Sequence, residues 1–160
     1  NRGLLVLGGL FAVLHASTDE GPILGLAHWG RDQLDRKFGK DAIDYLSGQG
    51  CDPRDIKIAI APGIGPENYY IQEADMDRVI RNPREWGSNI EKRGNKFHLN
   101  LLGYLLEQLD EAGVNGKNIE AYGVDTYEAA ERGEAFSYRY SVATGQPNRN
   151  GRMIIAAQLK

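Results

Sequence analysis

A strand that runs into a glycine- and proline-rich loop is the part of this sequence best suited to bind a small anion. Residues 56–71 read IKIAIAPGIGPENYYI. The short apolar run at the start predicts a buried strand, and the glycines and prolines that follow predict where the strand ends. Glycines let another group approach the backbone, prolines stiffen the flanks, and backbone N–H groups fixed in this way can hold a phosphate or other oxyanion. A plain tight turn is the alternative. The candidate binding residues of the loop are Gly63, Ile64, Gly65 and Pro66.

Two arginines and a tyrosine are further candidates for ligand binding. A guanidinium group binds phosphate through two parallel hydrogen bonds, which makes Arg31 and Arg139 the best anion-binding residues. Arg139 alternates with aromatic residues in AFSYRYSV, which is a strand-like pattern. The equal alternative to anion binding is that Arg139 forms an ion pair on the face of this strand. Tyr69 could stack on a base, although tyrosines beside a turn more often pack at a rim.

His28 is the candidate acid or base, because it ends an apolar run and its imidazole titrates near neutral pH. A hydrogen-bonded structural histidine is the equal alternative. The apolar runs within residues 10–28 predict a β-hairpin with a five-residue loop, which would place His28 opposite Gly9 or Leu10. His15 would then lie near the other end of the hairpin, too far from His28 to share a metal ion.

The surrounding patterns predict one α+β domain over residues 1–160, with mixed β-sheets and helices packed on the outside. Helices are predicted over residues 32–47, 73–81 and 99–112, with a helical turn over 127–132. Strands are predicted over residues 56–61, 119–124, 135–142 and 153–159, and residues 84–96 are predicted to be a loop. The first long helix should bury Leu34, Phe38, Ala42, Tyr45 and Leu46, and the helix over 99–112 should bury Leu105 and Leu109.

Composition argues against several classes of partner. The 160 residues carry 19 Lys and Arg against 22 Asp and Glu, and a net charge of −3 is too small to indicate nucleic acid or a membrane surface as partner. The first 17 residues resemble a secretory signal, but their alternation favours core strand, and no apolar segment of membrane-spanning length follows. The lone Cys51 has a polar, turn-like setting and should lie at the surface. We expect a cytoplasmic protein.

Five segments follow one another along the chain: HWGR at residues 28–31 after a strand, then PGIGPENYYI, FHLNLLGYLLEQLDEAGV, AFSYRY, and a Gly-Arg turn before a final strand. In this order and at these spacings they resemble the laccase-domain family, whose members are also called multicopper polyphenol oxidases or purine nucleoside phosphorylases. The resemblance covers about residues 4–160. It implies a single α+β domain, one zinc held by two histidines and a cysteine, and chemistry on purine nucleosides, chiefly phosphorolysis.

The sequence departs from the family pattern at the zinc ligands. His28 matches the second histidine, but the place of the cysteine falls at about Gly9, and the first histidine would lie upstream of Asn1. A further family cysteine, which precedes Thr-Tyr, is matched here by Asp125. Catalytic zinc takes three protein ligands, so we expect no metal cofactor in this chain and no metal-dependent oxidase activity.

Two hypotheses about function follow. In the first, the protein is an enzyme that acts on purine nucleosides, possibly by phosphorolysis: the loop and an arginine hold phosphate, and His28 protonates the leaving base. In the second, the same pocket binds a nucleoside, a nucleotide or another phosphate-bearing small molecule without turnover. A structural subunit completed by another chain is a third possibility. Both main hypotheses predict that His28, the loop and Arg139 line one shared pocket.

Overall fold

The computed structural model describes residues 4–7, 10–151 and 153–159, and it has an α+β architecture, as the sequence predicts. The strands are β1 (Leu4–Leu7), β2 (Phe11–Thr18), β3 (Gly21–His28), β4 (Lys57–Ile60), β5 (Tyr70–Gln72), β6 (Ile90–Arg93), β7 (Lys96–Leu99), β8 (Ile119–Ala121) and β9 (Ile154–Ala157). The helices are α1 (Arg31–Asp35), α2 (Phe38–Gly48), α3 (Met76–Val79), α4 (Leu101–Glu111), α5 (Thr126–Glu131) and α6 (Tyr138–Thr144).

The described strands form three small sheets. The largest has the order β3-β2-β4-β8, in which only the β4–β8 pair is parallel. The second has the order β5-β7-β6, and β1 pairs with β9. In β4 the buried Ile58 and Ile60 alternate with exposed residues, so one face of the large sheet is in the core and the other is more open.

The hairpin of β2 and β3 forms in a register one residue away from the prediction. His28 pairs with Phe11, and His15 pairs with Leu24. The predicted five-residue loop is wrong, because the strands continue to the pair Thr18 and Gly21 around a tight turn. Gly21 has a φ of +126°, which glycine adopts without strain, so the longer strands can close there. Gly9, the expected partner of His28, lies outside the described residues.

The helix predicted over residues 32–47 is divided into α1 and α2. Lys37 lies between them with a left-handed φ of 63°, and this break rotates α2 relative to the predicted apolar stripe. As a result Ile43 is buried, whereas Phe38 and Tyr45 are 44% and 69% exposed. The predicted burial of those two aromatic side chains is therefore wrong.

Residues 84–96 were predicted to be a loop, and this prediction is wrong, because the range includes all of β6 and the first residue of β7, which form a β-hairpin. Strands β6 and β7 pair around Gly94, whose φ of +61° closes the turn. Most of β6 is exposed and charged, so the sequence there lacks the apolar alternation by which strands are recognised. Trp86 lies just before the hairpin, is fully buried and stacks on Tyr104 with ring centroids 4.1 Å apart.

The strand predicted over residues 135–142 is also wrong, because this segment forms α6. The Ser137 side chain accepts a hydrogen bond from the backbone N–H of Tyr140 at the start of the helix, and Gly145 ends the helix in the left-handed conformation. Aromatic and β-branched residues give the segment a strand-like composition, but the caps at both ends favour a helix.

The core forms where α4 packs against α2 and the large sheet. Leu105 and Leu109 are fully buried, as predicted, and Gly113 follows α4 with a φ of +86°. Cys51 is 5% exposed, so its predicted surface position is wrong; its N–H donates to the carbonyl of Leu46, which folds the segment back under α2. No helix in the described part of the chain is long and apolar enough to cross a membrane.

Candidate functional site

The loop that follows β4 is held in place by backbone hydrogen bonds from three directions. The N–H of Ala61 donates to the Phe11 carbonyl at 2.8 Å, and the N–H of Thr126 donates to the Gly63 carbonyl at 2.9 Å. The Gly65 carbonyl accepts from the N–H of Tyr69 at 3.1 Å. The loop is therefore fixed between the end of the large sheet and the start of α5.

A histidine supports the far end of the loop. A ring nitrogen of His98, Nδ1, lies 2.9 Å from the Pro66 carbonyl oxygen, and the His98 ring packs on Tyr70 with centroids 5.7 Å apart. His98 belongs to β7, which pairs with β5, so the small sheet positions the Tyr69–Tyr70 pair beside the loop.

Gly63, Ile64, Tyr69 and Arg139 lie together along one cavity of about 430 Å³, which we call the Arg139 cavity. The Arg139 guanidinium lies over the Tyr69 ring, 4.4 Å from its centroid, and its Nη1 donates to the Tyr70 carbonyl at 3.0 Å. The cation–π contact and the hydrogen bond fix the planar group, while its other N–H groups can serve a ligand. None of the described residues that line this cavity is acidic.

Arg31 lies next to this cavity rather than in it. It lines a groove of about 290 Å³ together with Arg139, Tyr69 and Asp75. Its Nη1 donates to the carbonyl of Val79, which ties the start of α1 to the end of α3. Arg139 therefore belongs to both the cavity and the groove, and Arg31 to the groove alone.

The other half of the loop faces a different cavity. Gly65 and Pro66 line a space of about 320 Å³, the Asp125 cavity, to which Gly63 and Ile64 also contribute. Three carboxylates line it, from Glu67, Asp125 and Glu128, and of these Glu67 is paired with Arg93. An anion there would be repelled, so the two sides of the loop differ in the charge of ligand that they favour.

His28 does not reach either loop cavity. It lines a separate shallow cavity with Trp29, Phe38 and Asp41, and its ring lies 5.6 Å from that of Phe11. Burial lowers the pKa of His28 below its ordinary value of 6.5, because the charged imidazolium loses hydration. The prediction that His28 and the loop share one pocket is therefore wrong. Strand β2 lies between β3, which ends at His28, and β4, which leads into the loop, so these two strands are about 9–10 Å apart.

Asp125 is a functional candidate that the sequence pattern did not identify as a binding residue. Its Oδ1 accepts from the N–H of Tyr127 at 2.8 Å and so caps α5, and its Oδ2 accepts from Asn68 Nδ2 at 2.8 Å. The run Asp125-Thr-Tyr-Glu128 is a helix-start pattern that could have indicated the cap. The contact with Asn68, 57 positions away in sequence, has no local signal.

The residues of the described chain do not provide a metal centre. No group of three or more His, Cys, Asp or Glu side chains gathers in those residues in a way that could hold an ion. His28, Cys51 and Asp125 belong to separate parts of the structure. The expectation that no metal is bound stays a prediction.

Fold and cavities together define a small α+β domain with a glycine-rich loop between two ligand-sized cavities. Residues 11–160 match the family described as multi-copper polyphenol oxidoreductase laccase, so the chain belongs to the laccase-domain family. No curated protein sequence matches the chain.

Solved structures share the fold at low sequence identity. The Bacillus licheniformis hypothetical protein YfiH has a TM-score of 0.77 and 21% identity over 99% of this chain. YlmD from Geobacillus stearothermophilus has a TM-score of 0.73 and 23% identity over 96% of this chain. The Neisseria meningitidis protein NMB0706 has a TM-score of 0.67 and 19% identity over 95% of this chain. The chain spans 58%, 56% and 58% of their respective lengths.

Proposed function

We propose that the chain binds a purine nucleoside ligand that carries a phosphate, or a nucleoside together with phosphate, in the Arg139 cavity. The observation that carries the proposal is the stacked pair of Arg139 and Tyr69 at the wall of that cavity, beside Gly63 and Ile64. A guanidinium fork suits a phosphate, the aromatic ring suits a flat base, and the glycine lets a ligand approach the backbone.

Charge supports this assignment of the ligand to one side of the loop. The described lining of the Arg139 cavity carries an arginine and no carboxylate, whereas the Asp125 cavity carries three carboxylates. Arg31, in the adjoining groove, adds a second positive charge, and the Asp75 carboxylate in that groove is paired with Arg78. The part of the predicted anion site that we retain is therefore Gly63, Ile64, Tyr69 and Arg139, with Arg31 nearby.

Within this proposal, the position of His28 favours binding over turnover. Phosphorolysis forms a bond from a phosphate oxygen to the sugar C1′, breaks the glycosidic bond, and returns a proton to the leaving base. His28 lines another cavity and cannot deliver that proton to a ligand beside Arg139. We therefore place the non-catalytic binding module ahead of the phosphorylase.

Calorimetric titration with inosine 5′-monophosphate, inosine and inorganic phosphate tests the proposal. Arg139→Ala should weaken binding of the monophosphate by about 1.5–3 kcal/mol, the range for hydrogen bonds to charged groups. Arg139→Lys should recover only part of that loss, because an ammonium group has no planar fork.

Arg132→Ala is the matched control, since Arg132 is exposed and paired with Glu134 rather than with a cavity. Unchanged monophosphate binding in folded Arg139→Ala would refute the proposed site. Release of hypoxanthine from inosine and phosphate, lost in Arg139→Ala, would restore the phosphorylase hypothesis.

A further inference from the structure

The Asp125 cavity is a second site with chemistry opposite to that of the Arg139 cavity. Its volume of about 320 Å³ is that of a pocket for a small organic molecule. Much of its wall is apolar, with Leu10, Ile60 and Leu102 among the lining side chains. A cavity of this composition suits a ligand with a flat or compact apolar body.

The carboxylate of Asp125 is held in one position at the wall of this cavity. Hydrogen bonds from the Tyr127 N–H and from Asn68 Nδ2, both 2.8 Å long, reach one oxygen each. A carboxylate accepts about four hydrogen bonds, so each oxygen keeps capacity for one more. Asp125 can therefore accept a pair of parallel N–H donors without giving up its existing partners.

Gly65 leaves the space that this carboxylate occupies. A Cβ atom on Gly65 would lie 2.6 Å from Asp125 Oδ2, well inside van der Waals contact. The absence of a side chain at this position leaves room for the carboxylate beside the loop. Gly65 thus acts as a positioning residue for Asp125.

The remaining polar groups and the rim favour a cation. Glu128 also lines the cavity, as does Glu67, whose carboxylate is already paired with Arg93; none of the described lining residues is basic. Tyr122 lies at the opening with 66% of its surface exposed, where its ring face can cover a planar positive charge.

We infer that the Asp125 cavity binds a planar organic cation of the amidinium or guanidinium type, through paired N–H donation to the Asp125 carboxylate. Such a cation presents a fork of two N–H groups, and each carboxylate oxygen retains the acceptor capacity for one of them. This inference is independent of the function proposed above, because Arg139 belongs to the other cavity.

The test is a calorimetric titration of the full chain with benzamidine, with neutral benzamide as the matched probe. Benzamidine should bind, and benzamide should bind about tenfold or more weakly, since it is neutral and has a carbonyl oxygen in place of one of the two N–H donors of the fork. Asp125→Asn keeps the helix cap but presents an amide in place of the carboxylate, and should weaken benzamidine binding by a similar factor.

Gly65→Ala tests the geometry without changing charge, and it should also weaken benzamidine binding because the new methyl group displaces the carboxylate. Glu131→Gln, on the exposed side of α5, and Arg139→Ala should leave benzamidine binding unchanged. Equal binding of benzamidine and benzamide, absence of benzamidine binding, or full binding by folded Asp125→Asn would overturn the inference.

Discussion

At the scale of single residues, the loop residues with a proposed role are held by partners that come from distant parts of the chain. Arg139 lies over Tyr69, and Asp125 accepts from Asn68, 57 positions away. His98 holds the Pro66 carbonyl at 2.9 Å. These contacts fix the loop before any ligand binds, which lowers the conformational entropy that binding would otherwise cost.

The environment of His28 predicts that the stability of the protein depends on pH, and it does not indicate a catalytic role for this residue. Burial lowers its pKa in the folded state below the ordinary value of 6.5. As the pH falls below about 6.5, the unfolded chain takes up a proton before the folded chain does, so the free energy of unfolding should decrease.

Urea unfolding of the natural chain and of His28→Gln, at about pH 7.5 and about pH 5.5, measures this contribution. The natural chain should lose more stability on acidification than His28→Gln does. Equal losses in the two proteins would show that His28 contributes nothing to the pH dependence of folding.

At the scale of elements, α4 carries much of the core and α6 carries the arginine of the proposed site. Leu105 is fully buried in α4, while the next residue, Leu106, is 36% exposed. Leu105→Ala should therefore cost about 2–5 kcal/mol of unfolding free energy, and Leu106→Ala less than about 1 kcal/mol.

Chemical denaturation of these two variants compares buried and exposed leucines on the same helix. Similar losses would mean that the orientation of α4 differs from the one described. The two substitutions remove the same atoms, so any difference between them reports burial and the cavity left behind rather than helix propensity.

The N-terminal cap of α6 links stability to ligand binding. Ser137→Ala removes the acceptor for the Tyr140 N–H and should cost about 0.5–2 kcal/mol, whereas Ser137→Thr should retain most of the cap. Because Arg139 lies in the first turn of α6, Ser137→Ala should also weaken binding of inosine 5′-monophosphate. Normal affinity in a destabilised Ser137→Ala protein would separate the helix cap from the site.

At the scale of the whole molecule, the loop after β4 separates a basic cavity from an acidic one, although the net charge of the chain is only −3. Net charge therefore says little about ligands here, because opposite local fields cancel in the sum. The chain has the laccase-domain fold and spans 56–58% of the length of the similar solved structures.

The metal content of the whole chain is the last testable prediction. We expect no stoichiometric zinc or copper, because the described residues bring no three ligating side chains together and a lone imidazole is not a chelate. Elemental analysis of protein purified without chelator measures this. About one zinc per chain, or zinc-dependent activity that is lost in His28→Ala, would show that a ligand has been misassigned.

Local patterns by themselves determined the elements whose periodicity is strong and whose ends are marked. The strand at residues 56–61, the helix over 99–112 and the final strand follow from apolar spacing and from glycines at their ends. Arg139 was expected beside the loop on a strand over residues 135–142, but it lies in helix α6, and it shares a cavity with Gly63, Ile64 and Tyr69 only, whereas Gly65 and Pro66 line the Asp125 cavity.

Only the tertiary structure decided which of these residues share a cavity. The order β3-β2-β4-β8 puts β2 between His28 and the loop, and no periodicity along the chain specifies a strand order. Packing also buried Cys51 and brought Asn68 to Asp125. Such contacts join segments far apart in sequence and depend on how whole faces fit together, so the two opposite cavities appear only once the sheets and helices have packed.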